Sequence, residues 1–177
     1  MSDKFQSRKT ARLKEYDYRQ NGMYFITICT NEKKCTLSKI IYDRRDNPCG
    51  CPKIMLSDLG IICEKTFMTI EAKYQINIEN YAVMPNHIHI ILETYNRALR
   101  TGASPVPTVS DIVGAYKSIV STEWLKQCKQ NNVQMGNLWQ HGFYDHIIRD
   151  DEDLFFRQRY INENPLRWCL RQNNQVT

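Results

Sequence analysis

Long apolar runs are scarce in this sequence: even the stretch around Ile88 to Leu92 ends far short of the ~20 residues a membrane-spanning helix requires. A transmembrane anchor is therefore not expected. Glycine and proline are sparse, at 7 and 6 of 177 residues, and there is no low-complexity tract or internal repeat, which excludes collagen-like, solenoid and linker-type chains. The opening residues, MSDKFQSRKTAR, lack the apolar segment of an export signal, so the expected location is the cytoplasm. Seven cysteines are present (Cys29, Cys35, Cys49, Cys51, Cys63, Cys128 and Cys169), but their odd number and the missing signal point to reduced thiols. Cys49-Gly50-Cys51 lacks both the two-residue spacing of a zinc pair and a matching second pair.

What is present is a globular composition: 42% hydrophobic, 24% charged and 11% aromatic residues, in a length suited to one domain spanning residues 1–177. The 24 basic and 19 acidic side chains leave a net charge of +5, a modest excess that tolerates an anionic partner without requiring one. The first 20 or so residues form a basic arm carrying Arg12, Lys14 and Arg19, with Tyr16 and Tyr18 between them.

The hydrophobic pattern predicts an α+β fold. Met23 to Thr30, rich in β-branched and aromatic residues after Asn21-Gly22, reads as a buried strand. Lys39 to Tyr42 and Lys53 to Leu56 flank a turn-rich segment and read as a hairpin. Ser57 caps a predicted helix with Leu59, Ile62, Cys63, Phe67 and Ile70 on one face. Gln75 to Glu79 and Ala82 to Glu93 read as two further strands, and Thr94 to Pro107 as a surface loop. Thr108 and Asp111 have the spacing of a capping box before a second amphipathic helix through Trp124, followed by a polar connection from Gln127 to Gly136. Asp150 to Asp153 supply the acidic first turn of a last helix, expected to stop near Asn164 because Pro165 disfavours helical backbone in its predecessor. Strands early and helices late suggest an antiparallel sheet rather than an alternating parallel wind.

Three places carry candidate chemistry. In His87-Ile88-His89-Ile90 strand alternation sends both imidazoles to one side and the isoleucines to the other. Such a pair is either half of a metal site that needs a third ligand, or two hydrogen-bonded histidines. Phe156, Tyr160 and Asn164 recur every fourth residue on the last helix, whereas Leu154 and Ile161 lie on another face and read as core. A phenol is a poor nucleophile at neutral pH but becomes competent when a metal polarises its electrophile, and the Asn164 amide oxygen could complete the ligand set. The bland alternative is a half-buried tyrosine and a helix-ending asparagine. Leu138 to Arg149 alternates aromatic with basic and amide side chains, suited equally to stacking on unpaired bases and to core packing. Within it Asp145 beside His146 could orient an imidazole.

Taken together, several separated blocks resemble the single-domain Y1 transposases of the HUH superfamily, and most of all the REP-associated tyrosine transposases of the IS200/IS605-like group. The blocks are Arg12 to Tyr18, Tyr24 to Thr30, Tyr81 to Ile91, Ile112 to Lys117, and Trp139 to Trp168 with its Tyr160-Ile161-x-x-Asn164-Pro165. The resemblance implies a ferredoxin-like antiparallel sheet with helices packed on it and the histidines on a central strand. It implies that His87 and His89 hold a divalent metal, Mg2+ or Mn2+, with Asn164 as third ligand where many relatives carry the longer glutamine. Tyr160 would be the nucleophile that nicks single-stranded DNA near hairpin ends through a 5'-phosphotyrosine and then transfers the strand. Arg12, Lys14, Arg19, Arg97, Arg100 and Arg149 are the candidate phosphate contacts, and the protein would act as a monomer or homodimer. A domesticated, non-catalytic module that binds structured single-stranded DNA is the alternative, and a metal-dependent phosphodiesterase using water is a more distant one.

Overall fold

A computed structural model describes residues 21–41, 52–95 and 107–173. Its central element is a four-stranded antiparallel sheet of β1 (Gly22–Cys29), β4 (Ile76–Val83), β5 (His87–Thr94) and β6 (Tyr144–Ile148), in the spatial order β4-β5-β1-β6. Between β1 and β4 lie a small hairpin, β2 (Ser38–Ile41) and β3 (Lys53–Leu56), and helix α1 (Asp58–Tyr74). Helix α2 (Val109–Gln130) connects β5 to β6, and α3 (Asp151–Asn173) ends the described chain. Strand, helix, two strands, helix and strand in this order are the ferredoxin-like α+β arrangement expected from the sequence.

Strand alternation divides the core into two layers. Tyr24, Ile26 and Ile28 of β1 and Ile88, Ile90 and Leu92 of β5 face one way and pack on Leu59, Cys63, Phe67 and Ile70 of α1 and on Val109, Ile112, Val113, Tyr116 and Val120 of α2. Phe25 and Ile91 face the other way, with Ala82 and Met84, and meet Leu154, Ile161 and Trp168 of α3. Both layers exclude water from side chains that each contribute about 1.5–3 kcal/mol on burial. The second layer holds the histidines.

Both helix starts read from the sequence are present. The Ser57 hydroxyl accepts from Gly60 N at 3.1 Å, and Thr108 and Asp111 form a reciprocal capping box, with the two N-cap bonds at 2.7 and 3.3 Å. Several boundaries differ from expectation. Gln75 is not in a strand but caps α1 in left-handed conformation (φ 53°), so β4 starts at Ile76. Ala82 and Val83 belong to β4 and not to the following strand; a turn at 84–86, closed by Met84 N donating to His87 O at 2.9 Å, separates them from β5. Helix α2 persists to Gln130 because Cys128, within the expected polar connection, is buried.

The largest correction is in α3, which does not stop before Pro165 but continues to Asn173. An internal proline removes a helical hydrogen bond at a cost of about 3 kcal/mol. Here Trp168, one turn further on, packs into the second core layer, and Ile161, one turn earlier, is buried. Tertiary packing on both sides of the proline outweighs its local preference.

Gly60 in the first turn of α1 must be glycine. A β-carbon there would sit inside van der Waals contact of the Leu37 carbonyl, whose oxygen accepts from Ser57 N at 3.0 Å and Ser57 Oγ at 2.9 Å and so cannot withdraw freely. Gly60→Ala should therefore destabilise the fold by about 2 kcal/mol or more despite alanine's better helix propensity. Urea unfolding measures this, and an unchanged or raised midpoint would contradict the packing argument.

Candidate active site

The site forms on the α3 face of the sheet, where two central strands present polar side chains to a helix. Thr27 and His89 are register partners across β1 and β5, and His89 Nδ1 lies 2.9 Å from Thr27 Oγ1. His87 Nδ1 donates to Asn86 Oδ1 at 2.7 Å, with the amide oxygen assigned as acceptor, which leaves His87 Nε2 with its lone pair. The two Nε2 atoms stand 3.0 Å apart. Each imidazole is thus held at its outer nitrogen, and the two inner nitrogens face each other within hydrogen-bonding distance. Two octahedral ligands at right angles, each about 2.1 Å from one ion, would stand about 3 Å apart, so the donor pair suits a small divalent cation.

Burial depresses both imidazoles. His89, only 4% exposed, is lowered to about 3, with His87 adding a repulsive contribution. His87 is lowered to about 4 by burial, then by the charges of Lys33 and Arg171. Both are neutral at physiological pH, the state in which imidazole ligates a metal.

Helix α3 brings the phenol to this pair. The Tyr160 ring meets His89 edge-on, with centroids 5.2 Å apart, and Phe25 at 5.9 Å; Phe25 in turn stacks on His89 at 5.1 Å. Two turns further, Trp168 lies 6.1 Å from His87. Asn164 sits between them in the same four-residue row, 7% exposed and with no side-chain hydrogen bond among the described residues. His87, His89, Tyr160 and Asn164, singled out from separate parts of the sequence, therefore gather on one face. The other end of the row, Phe156, is 54% exposed. Leu154 and Ile161 are core, as expected. Among the described residues, no group of three or more histidine, cysteine or acidic side chains gathers as a metal cage.

Other expected residues fare differently. Arg149 is exposed just beyond β6. Arg12, Lys14, Arg19, Arg97 and Arg100, with most of the basic arm, lie outside the described residues. Asp145 does not orient His146: neighbours on a strand point to opposite faces, and the partner of His146 is Asp153 of α3, at 2.6 Å. Arg157 completes that cluster, donating from Nε to Asp153 at 3.0 Å and lying over the Phe25 ring at 5.4 Å. Burial raises Asp153, and hydrogen bonds from His146 and Arg157 outweigh this and hold it below the usual carboxylate range. The cluster ties the start of α3 to β6, with Asp153 two turns before Tyr160. Tyr116 of α2 is buried and donates to Cys63 O at 3.0 Å, leaving its phenol no route to substrate. Lys33 and Arg171 were missed. A single lysine and a single arginine carry no sequence signal of their neighbours.

The chain belongs to the IS200-like transposase family, whose model matches residues 18–164. A Haemophilus influenzae protein without an assigned function is 33% identical over 175 residues, covering 91% of this chain and 89% of that one. A second protein of that organism, provisionally named a REP-associated tyrosine transposase, is 25% identical over 161 residues, covering 85% of this chain and 74% of its own. Among solved structures, a REP-associated tyrosine transposase bound to a REP hairpin shares the fold, with a TM-score of 0.52 and 16% identity over 88% of this chain and 73% of that one. No helix among the described residues is long and apolar enough to cross a membrane.

Proposed function

We propose that this transposase nicks single-stranded DNA at hairpin-flanked ends through a covalent bond to Tyr160 and then transfers the strand. The observation that carries this reading is the meeting of the Tyr160 ring with His89, whose Nε2 converges with that of His87. Attack by the Tyr160 oxygen forms a new bond to phosphorus in line with the breaking P–O3' bond. The phenol gives up its proton and the departing 3' oxygen takes one, leaving a 5'-phosphotyrosine and a free 3'-hydroxyl. A different 3'-hydroxyl can then attack the phosphotyrosine and release Tyr160. One phosphodiester replaces another, so no nucleotide triphosphate is consumed. Single-stranded substrate suits the step because in-line attack needs an unhindered backbone. A Mg2+ or Mn2+ ion held by His87 Nε2, His89 Nε2 and Asn164 Oδ1 would offset the charge that builds on the phosphate oxygens. The chain's own contribution is orientation: Thr27 and Asn86 fix the rings, while Phe25 and Ile161 seat α3 on the sheet.

The test is incubation of the full chain with hairpin-flanked single-stranded oligonucleotides in Mg2+, Mn2+ or EDTA, followed by denaturing electrophoresis and peptide mapping. A metal-dependent adduct at Tyr160 is expected. Retained binding with no adduct across a broad DNA pool would favour a non-catalytic hairpin-binding module. Thr27→Val removes the hydroxyl beside His89 Nδ1 while keeping the strand shape, and should weaken Mn2+ affinity about 10-fold or more. Calorimetric titration reads this directly, and unchanged affinity would remove Thr27 from the supporting role.

A further inference from the structure

We propose that Lys33 and Arg171 form a two-cation clamp on the phosphodiester backbone of the single strand that enters the His87–His89–Tyr160 site. The inference rests on the transposase reading and adds to it a subsite on the His87 side of the sheet.

Lys33 is placed by a strained turn. Strand β1 ends at Cys29, the register partner of His87, so the residues that follow lie beside the site. Thr30 fastens them there, donating from its backbone N (3.0 Å) and its hydroxyl (2.9 Å) to Asn86 O, the residue whose side chain holds His87. Glu32 and Lys33 then both adopt left-handed backbone, with φ of 54° and 53°. Such conformations cost non-glycine residues on the order of 1 kcal/mol or more each, and they cluster where a structure must present a particular side chain. The turn's own acid is engaged elsewhere, since Glu32 pairs with Lys34 at 2.9 Å. Lys33 is left exposed with no acidic partner among the described residues.

Arg171 is singled out by elimination along α3. Arg157 is paired with Asp153, and Arg159 and Arg167 both with Glu163. Arg171 alone of the four has no acidic partner among the described residues, and it lies three residues beyond Trp168, whose ring faces His87. The two cations without an acidic partner among the described residues therefore come from opposite ends of the described chain to the His87 side of the sheet, Lys33 on the turn that follows the register partner of His87 and Arg171 one turn beyond the Trp168 ring that faces it. Two exposed positive charges on one side of the site suit an anionic ligand, and a phosphodiester backbone supplies one. This also gives the continuation of α3 past Pro165 a purpose. The family match ends at Asn164, so Arg171 lies on a stretch beyond it.

The experiment measures binding of a hairpin-flanked single-stranded oligonucleotide by fluorescence anisotropy between about 0.05 and 0.2 M salt, in a Tyr160→Phe background so that chemistry does not intrude. Each of Lys33→Gln and Arg171→Gln should weaken binding several-fold and reduce the slope of log affinity against log salt by about 0.7, the double variant by about 1.4. Lys33→Arg and Arg171→Lys should retain the slope. Lys129→Gln, on α2 across the sheet, should leave it unchanged. Both target side chains are exposed, so far-ultraviolet dichroism should match the parent. Slopes unchanged in both glutamine variants, reduced equally by Lys129→Gln, or absent because the parent does not bind would overturn the clamp. The adduct assay is read separately on protein with Tyr160 intact, so an adduct with unaltered slopes removes the clamp alone, and a lost slope without any adduct removes the catalytic reading alone.

Discussion

Replacing Tyr160 with phenylalanine should abolish the metal-dependent protein–DNA adduct and strand transfer, a loss on the order of 10⁴-fold or more, while leaving hairpin binding within about two-fold of the parent. The substitution removes one oxygen and keeps the ring. The edge contacts to Phe25 and His89 remain, so α3 should stay seated and the variant should melt with the parent. That selectivity lets one variant separate three chemistries. If Tyr160 is the nucleophile, the adduct disappears and no cleavage replaces it. If the chain is a binding module, the parent forms no adduct and the variant binds equally well. If water is the nucleophile, metal-dependent cleavage continues at the parental rate, and Tyr160 is a packing residue after all.

The elements that could be read from the sequence are those governed by local rules. Ser57 and the Thr108–Asp111 pair cap helices because their side chains reach backbone donors within one turn. The alternation through His87-Ile88-His89-Ile90 sorts side chains to two faces whatever surrounds the strand, and one face is core while the other is the site. The Tyr160–Asn164 spacing is likewise a property of any helix. What could not be read depends on distant partners. Pro165 argues for a helix end, and the packing of Ile161 before it and Trp168 after it overrides that preference. Asp145 looks like the natural partner of His146, yet strand geometry turns it away and α3 brings Asp153 instead. Lys33 reaches the site through two left-handed residues with no glycine to announce them. Geometry within one element is legible in residue spacing, whereas a contact between elements becomes legible only once the fold has closed.

The histidine pair should also make the protein's stability fall steeply in mild acid. Both imidazoles are depressed in the folded chain, to about 4 for His87 and about 3 for His89, whereas in the unfolded chain each titrates near 6.5. Below pH 6.5 the unfolded state therefore binds two protons that the native state refuses. With more protons bound in the unfolded state, stability rises with pH and is lost as pH falls, by about 1.4 kcal/mol per unit for each histidine. From pH 7 to pH 5 the pair should remove on the order of 3 kcal/mol, a large share of an ordinary domain's stability. Urea unfolding across that range checks the magnitude, and a His87→Gln/His89→Gln variant checks the source. The variant should lose most of the slope even if its stability at pH 7 is altered, because the slope counts protons and not packing. An equal slope in parent and variant would mean that other groups carry the acid response. Because an imidazole ligates a cation only when neutral, and the folded chain keeps both neutral until about pH 4, Mn2+ should stabilise the parent from pH 7 down to about pH 5, lose that effect as pH falls through 4 toward 3, and leave the double variant unaffected throughout.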